Sequence, residues 1–160
     1  MLRIGMIGAA GSGKDSLCEA MQRIDPTLGR VAFGDTVKAC AGPLLAIHGV
    51  AVTSMTRDEK NSHRPLLERL GDLSLELAGE QWLQTLPDRC INTRIQRATE
   101  ALAWLNAGGV LLEVQRTDPA TETERQYLAE MLELPHRTVA NVGTLDDLHG
   151  IAQYLIQGRR

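Results

Sequence analysis

The period of apolar positions changes several times along the chain, and each change marks an element. Leu2 to Ile7 is a short, nearly continuous apolar run closed by glycines, the pattern of a strand buried on both faces of a parallel sheet. Beyond Gly8 to Gly13, Leu17, Ala20, Met21 and Ile24 recur at i, i+3, i+4 and i+7, the stripe of an amphipathic helix. Val31 to Phe33 predicts a brief second strand. Val37 to Ile47 predicts an apolar helical segment in which Pro43 starts a new helix or kinks the existing one. Thr56 to Arg64 is charged and turn-rich and reads as a surface segment.

Leu66, Leu67, Leu70, Leu73 and Leu77 then give the clearest helical stripe in the middle of the chain. Arg89 to Arg94 is a short strand candidate. Ala98, Leu102 and Leu105 suit a helix closed by Gly108 and Gly109, and Val110 to Val114 has the β-branched and aliphatic character of a buried strand. Arg116 to Arg125 is polar and loop-like, and Thr138 to Ala140 can supply a last strand. Thr144 with Asp147 three residues on predicts a capped start for a helix whose face is Leu148, Ile151, Ala152, Leu155 and Ile156. Strands alternating with helices predict an α/β fold, a three-layer sandwich with a mainly parallel sheet. No repeat or linker divides residues 1–160, so one domain is expected.

Composition narrows the function classes. The chain has five aromatic residues, Phe33, Trp82, Trp104, Tyr127 and Tyr154, too scattered for a base-stacking surface. Its formal charge of -3 argues against a broad nucleic-acid surface. Cys18, Cys40 and Cys90 are far apart and match no zinc spacing, nor do His48, His63, His136 and His149; the cysteines read as buried free thiols in a reducing compartment. The start is too short an apolar run for a signal peptide, and no stretch approaches the roughly 20 residues of a membrane helix. A soluble protein with no membrane partner is the expectation.

The chemistry concentrates in Gly8-Ala9-Ala10-Gly11-Ser12-Gly13-Lys14-Asp15-Ser16, which has GxxxxGK spacing between a predicted strand and a predicted helix. Glycines there let successive backbone N–H groups face phosphate oxygens, and the helix adds its positive end. Gly8, Gly11, Ser12, Gly13, Lys14, Asp15 and Ser16 are therefore the candidate phosphate-binding set, with Lys14 placed to reach β- and γ-phosphates. A dinucleotide-binding reading is weaker, because the third glycine of that motif is missing. Asp15 stands where a Ser or Thr hydroxyl normally meets Mg²⁺. A carboxylate there could hold the ion directly or through water, or simply favour the helix dipole.

Further blocks follow in order: Phe33-Gly34-Asp35-Thr36-Val37-Lys38, Arg64-Pro65-Leu66-Leu67-Glu68-Arg69-Leu70-Gly71, Gly79-Glu80-Gln81-Trp82, Ala107 to Arg116, and Asn141 to Leu148. With the Gly-Lys-Asp-Ser loop, they make the chain resemble the bacteriophage-type deoxynucleoside monophosphate kinases, a branch of the P-loop kinases, over most of its length. That family has Phe-Ala-Asp-Pro-x-Lys, Arg-x-Leu-Leu-Gln-x-Leu-Gly and Gly-x-x-Trp at the first three. Its Asp-x-Arg-Phe-Pro-Asn-Glu block aligns without gaps on Arg94 to Glu100, keeping only the glutamate. Sliding by two residues recovers Arg94 as the arginine and requires a gap.

The resemblance implies a P-loop, nucleoside monophosphate kinase-like fold and ATP- and Mg²⁺-dependent phosphoryl transfer to a deoxynucleoside monophosphate (dNMP). It also implies the cytoplasm of a bacterial host, in a phage or prophage setting. Such a reaction needs cations more than a base, because the attacking phosphate oxygen is already ionised. Lys14, Asp35 and Arg116 are the candidate catalytic residues, with Asp15 as the Mg²⁺ ligand. Asp35, Lys38, Arg64, Trp82 and Glu100 are candidates for the acceptor, and 116–126 for a lid that could include Arg125. Competing readings stay open: Asp35 as a helix N-cap, Lys38 and Arg64 as solvated charges, Trp82 as core, Glu100 as a helix start. So do a modified nucleotide or modified DNA base as acceptor, and a nucleotide-binding module without transfer activity. A homodimer is compatible with the sequence.

Overall fold

Leu2–Ile7 (β1) lies at the centre of a five-stranded sheet in which every pairing is parallel. The computed structural model describes residues 1–47, 49–51, 54–78, 81–116 and 128–158. After β1 come α1 (Lys14–Ile24), β2 (Gly29–Val31), α2 (Phe33–Ile47), α3 (Arg57–Ala78), α4 (Gln81–Gln84) and β3 (Arg89–Asn92). Then follow α5 (Ala98–Asn106), β4 (Val110–Arg116), β5 (Arg137–Asn141) and α6 (Leu145–Gln157). The strand order is β2-β3-β1-β4-β5, so β1 is flanked by β3 and β4.

Alternation along the strands splits the core in two. Ile4 and Met6 of β1, with Leu112 and Val114 of β4, pack under Leu17 and Met21 of α1 and Leu148, Ala152 and Leu155 of α6. Ile7, Leu111 and Cys90 face the other way, against Ala101 and Trp104 of α5 and Leu128 and Met131. A small third cluster, Ala41, Leu45 and Met55 with Leu67 and Leu70, joins α2 to α3. Cys18 and Cys90 are buried free thiols as expected, and burial pushes Cys18 up to about 11. The side chain of Cys40 lies outside the described residues.

Several expectations need correction. The second strand is Gly29–Val31 rather than Val31 to Phe33, and Phe33 already opens α2. Of the two readings of Pro43, the start of a new helix is excluded, since α2 runs through it. The surface segment Thr56 to Arg64, expected to be turn-rich, is helical from Arg57. The reason is a reciprocal cap: the Thr56 amide donates to Glu59 Oε2 at 2.7 Å and the Glu59 amide to Thr56 Oγ1 at 3.3 Å. Leu66 and Leu73 are exposed, and Leu67 and Leu70 carry the packing of the leucine stripe. On α5 the buried face is Glu100, Ala101 and Trp104, with Leu102 outside. The Thr144 and Asp147 capping box is present as expected.

Because all five strands are parallel, the loops after β1, β2, β3, β4 and β5 leave the same edge of the sheet, where ligands of such folds gather. Gly8, the first residue after β1, has φ +137°, and a Cβ there would strike the Val114 carbonyl oxygen of β4. Backbone strain and a backbone clash therefore act together. Gly8→Ala is expected to lower the unfolding free energy by about 2 kcal/mol in urea titrations. Gly11→Ala should lose only about 1 kcal/mol, because its Cβ, although at φ +73°, meets nothing within 4 Å.

Candidate functional site

The turn between β1 and α1 is built by three glycines with positive φ, Gly8, Gly11 and Gly13, and Gly13 caps α1 in the left-handed region with φ 98°. Gly13, the N-cap of α1, brings no side chain to the first turn of the helix. Ser12 is buried (2% exposed), and its carbonyl accepts from Asn141 Nδ2 at 2.8 Å, which ties the loop to the end of β5. Lys14 folds over its own loop, with Nζ donating to the carbonyls of Gly8 at 2.7 Å and Ala9 at 2.6 Å and to Ser12 Oγ at 3.3 Å. Arg116 ends β4 and crosses to the carbonyl of Gly11 at 3.3 Å.

These residues border a cavity of about 410 Å³ lined by Gly11, Gly13, Lys14, Asp15, Ser16 and Arg116, with Asn141, Thr144, Leu145 and Leu148 on the other wall. Gly8 and Ser12 shape the loop from beneath and do not line it. Asp15 lines the cavity and is also tethered: Arg30 Nη2 and Thr93 Oγ1 both donate to its Oδ1 at 2.8 Å. The lid expected over 116–126 lies, from Thr117 onward, outside the described residues, as does Arg125.

A second cavity, about 260 Å³, opens beyond β2 and β3. Phe33, Val37, Leu67 and Gly71 give it an apolar wall, while Lys38, Arg64, Arg94 and Arg97 bring four cationic side chains, and Gln96 and Glu100 complete it. Lys38 pairs with the Asp35 carboxylate at 3.0 Å and Arg97 with that of Asp72. Asp35 itself lines neither cavity and sits in the first turn of α2, which excludes the N-cap reading. Trp82 also stays outside the lining. Its ring meets Phe33 edge-on with centroids 4.9 Å apart, and its indole N–H donates to Thr36 Oγ1 at 3.2 Å, so it reaches the cavity only through Phe33.

Among the described residues that line this cavity, Glu100 is the buried carboxylate (4% exposed). Its Oε1 accepts from Asn92 Nδ2 at 3.0 Å and its Oε2 from the Gln96 amide at 3.2 Å. Burial outweighs both hydrogen bonds and pushes its pKa up to about 7. Asn92, at the end of β3, also accepts from the Arg94 amide at 3.0 Å. Asn92 and Glu100 thus fix the turn that carries Arg94, Gln96 and Arg97 to the cavity wall.

Asn92, Thr93, Gln96, Arg97, Arg30 and Asn141 were not singled out as site residues by the sequence. Arg94 carried a trace in the two-residue slide. The others become neighbours of the site only when β2, β3 and β5 align with β1.

Among the described residues no group of three His, Cys, Asp or Glu side chains forms a metal cluster, and no helix is long and apolar enough to cross a membrane. The arrangement matches solved structures. Shikimate kinase from Aquifex aeolicus is 13% identical with a TM-score of 0.54, covering 99% of this chain and 98% of its own. Dephospho-CoA kinase from Campylobacter jejuni is 7% identical with a TM-score of 0.51, covering 98% of this chain and 96% of its own. At such identities the likeness is one of fold, the P-loop kinase α/β sandwich of nucleoside monophosphate kinase type. No family model and no curated protein sequence matches the chain.

Proposed function

We propose that this protein transfers the γ-phosphoryl group of ATP to a deoxynucleoside monophosphate, yielding ADP and the diphosphate. One observation carries the reading: a glycine-turned phosphate loop with its lysine and a four-cation cavity with an apolar wall open at the same edge of one parallel sheet. A donor polyphosphate suits the first and a smaller phosphorylated acceptor the second. Both solved structures named above are kinases. The acceptor class rests on the resemblance in the Asp35 to Lys38 and Arg64 to Gly71 blocks.

The residues fit ATP. The loop amides and Lys14 bind the β- and γ-phosphates, and Leu145 and Leu148 offer an apolar wall farther along. Lys14 Nζ now satisfies two carbonyls of its own loop, so its donors can turn to phosphate oxygens without being newly desolvated. Arg116 stands beside Gly11 to offset charge on the transferring group. Lys38, Arg64 and Arg94 hold the acceptor phosphate, and Asp35 orients Lys38. The attacking oxygen needs no base, so Glu100 acts as a wall and anchor rather than a proton acceptor.

Mg²⁺ also fits, because Asp15 and Ser16 place hard oxygen donors in the lining of the donor cavity. When bound, it would neutralise charge shared by the β- and γ-phosphates.

ADP release from ATP and Mg²⁺, measured with each common dNMP, tests the reading. Turnover with at least one supports it. Tight ATP binding without turnover on any free nucleotide would sink it and favour a modified acceptor or a non-catalytic nucleotide-binding module.

A further inference from the structure

We infer that Thr93 is a positioning residue for the divalent cation, acting through Asp15; this rests on the phosphoryl-transfer reading of the same site. In P-loop nucleotide triphosphatases the residue after the lysine supplies a hydroxyl to Mg²⁺, and a carboxylate comes from a neighbouring strand. Here the carboxylate stands on the loop and the hydroxyl lies behind it. The loop supplies the carboxylate of Asp15, and the residue just past β3 supplies the hydroxyl of Thr93, 78 positions away in sequence and 2.8 Å away in space.

Burial assigns the roles. Thr93 is 1% exposed and lines neither cavity, so it has no direct access to a ligand. Asp15 does line the donor cavity. Both of its donors, Thr93 and Arg30, converge on Oδ1, leaving Oδ2 as the oxygen to meet a cation.

The two tethers differ in kind. Arg30 and Asp15 are both well exposed, with side chains 44% and 58% accessible, so their ion pair is screened by solvent. The Thr93 hydroxyl is a neutral donor fixed by the packing around the end of β3. It holds the carboxylate in one orientation without adding positive charge beside the cation. Without it, Arg30 is free to draw Asp15 outward toward solvent. Such outer partners of a metal-binding carboxylate typically alter metal affinity by about 10- to 100-fold.

The test compares wild type, Thr93→Val and Thr93→Ser as ADP complexes titrated with Mn²⁺, following the free-ion electron paramagnetic resonance signal. ADP affinity is measured in parallel in EDTA. Valine keeps the shape of threonine and leaves an exposed carboxylate with Arg30 as its remaining donor, so the fold should persist. The expected result is Mn²⁺ affinity weakened about tenfold in Thr93→Val, with metal-free ADP affinity within about twofold of wild type, and recovery in Thr93→Ser. Unchanged Mn²⁺ affinity in Thr93→Val overturns the inference. Equal weakening of ADP binding with and without metal also overturns it, because that is what a merely structural role gives. Wild-type protein that fails to bind ADP in EDTA and in Mn²⁺ overturns the phosphate-loop reading itself.

Discussion

Replacing Lys14 by methionine is expected to reduce ADP formation by about 10²- to 10³-fold, the usual effect of removing one preorganised charge-stabilising donor. Methionine keeps the unbranched aliphatic stem and removes only the ammonium. That ammonium sits at the start of α1, within 2.7 Å of two carbonyls of the loop that would hold the phosphates. Charge spreading over the γ-phosphoryl oxygens in the transition state is what it would offset. Losing its part-buried hydrogen bonds should destabilise the fold by only about 1–2 kcal/mol, small against a typical stability of about 5–15 kcal/mol. A melting curve close to wild type therefore separates lost chemistry from lost structure. Binding of a dNMP in the second cavity should be unchanged, since Lys14 does not line it. If turnover survives in the variant, the phosphate-loop assignment is wrong.

Glu100 sets the second large effect, a dependence of stability on pH. Its pKa lies at about 7 in the folded protein against an ordinary value of 4.5, because burial disfavours the carboxylate. The folded state therefore binds the proton more tightly than the unfolded chain. The corresponding stability is complete below about pH 4.5, falls as pH rises toward 7, and is gone above it. At about 1.4 kcal/mol per pH unit the whole swing is about 3 kcal/mol.

Glu100→Gln removes the titration and keeps the size. Its stability relative to wild type should shift by about 3 kcal/mol in its favour between pH 4.5 and pH 8. Any fixed loss from the Asn92 or Gln96 hydrogen bonds is the same at both ends and cancels. Urea unfolding of both proteins across that range is the measurement, and a flat difference would show that folding does not raise the Glu100 pKa.

What could be read in advance divides along physical lines. Thr56 with Glu59 is a capping box as legible as Thr144 with Asp147, yet the density of charge from Thr56 to Arg64 favours reading a turn-rich surface segment there. The error at Leu66 and Leu73 has another source. A stripe states that one face of a helix is apolar and not how much of that face finds a partner, and of its four described leucines Leu67 and Leu70 pack against the α2 cluster while Leu66 and Leu73 are exposed. For Trp82 and Asp35, block order placed both near the acceptor. Packing then turned the Trp82 ring onto Phe33 and the Asp35 carboxylate onto Lys38, at the rim rather than in the lining.

The sequence by itself determined the parts whose physics is local: the buried first strand, the glycine turn, Lys14 at the start of a helix, and the alternation of strands with helices. These depend on backbone sterics and on neighbours within about one or two helical turns. Tertiary structure alone decided that β3 lies beside β1, bringing Thr93 onto Asp15 and Asn141 onto the loop, and that Glu100 is buried against Asn92 and the Gln96 amide in the wall of a cavity lined by four cationic side chains. Burial and the convergence of residues tens of positions apart are properties of how elements pack, and a pKa or a shared cavity is set by that packing rather than by any one segment.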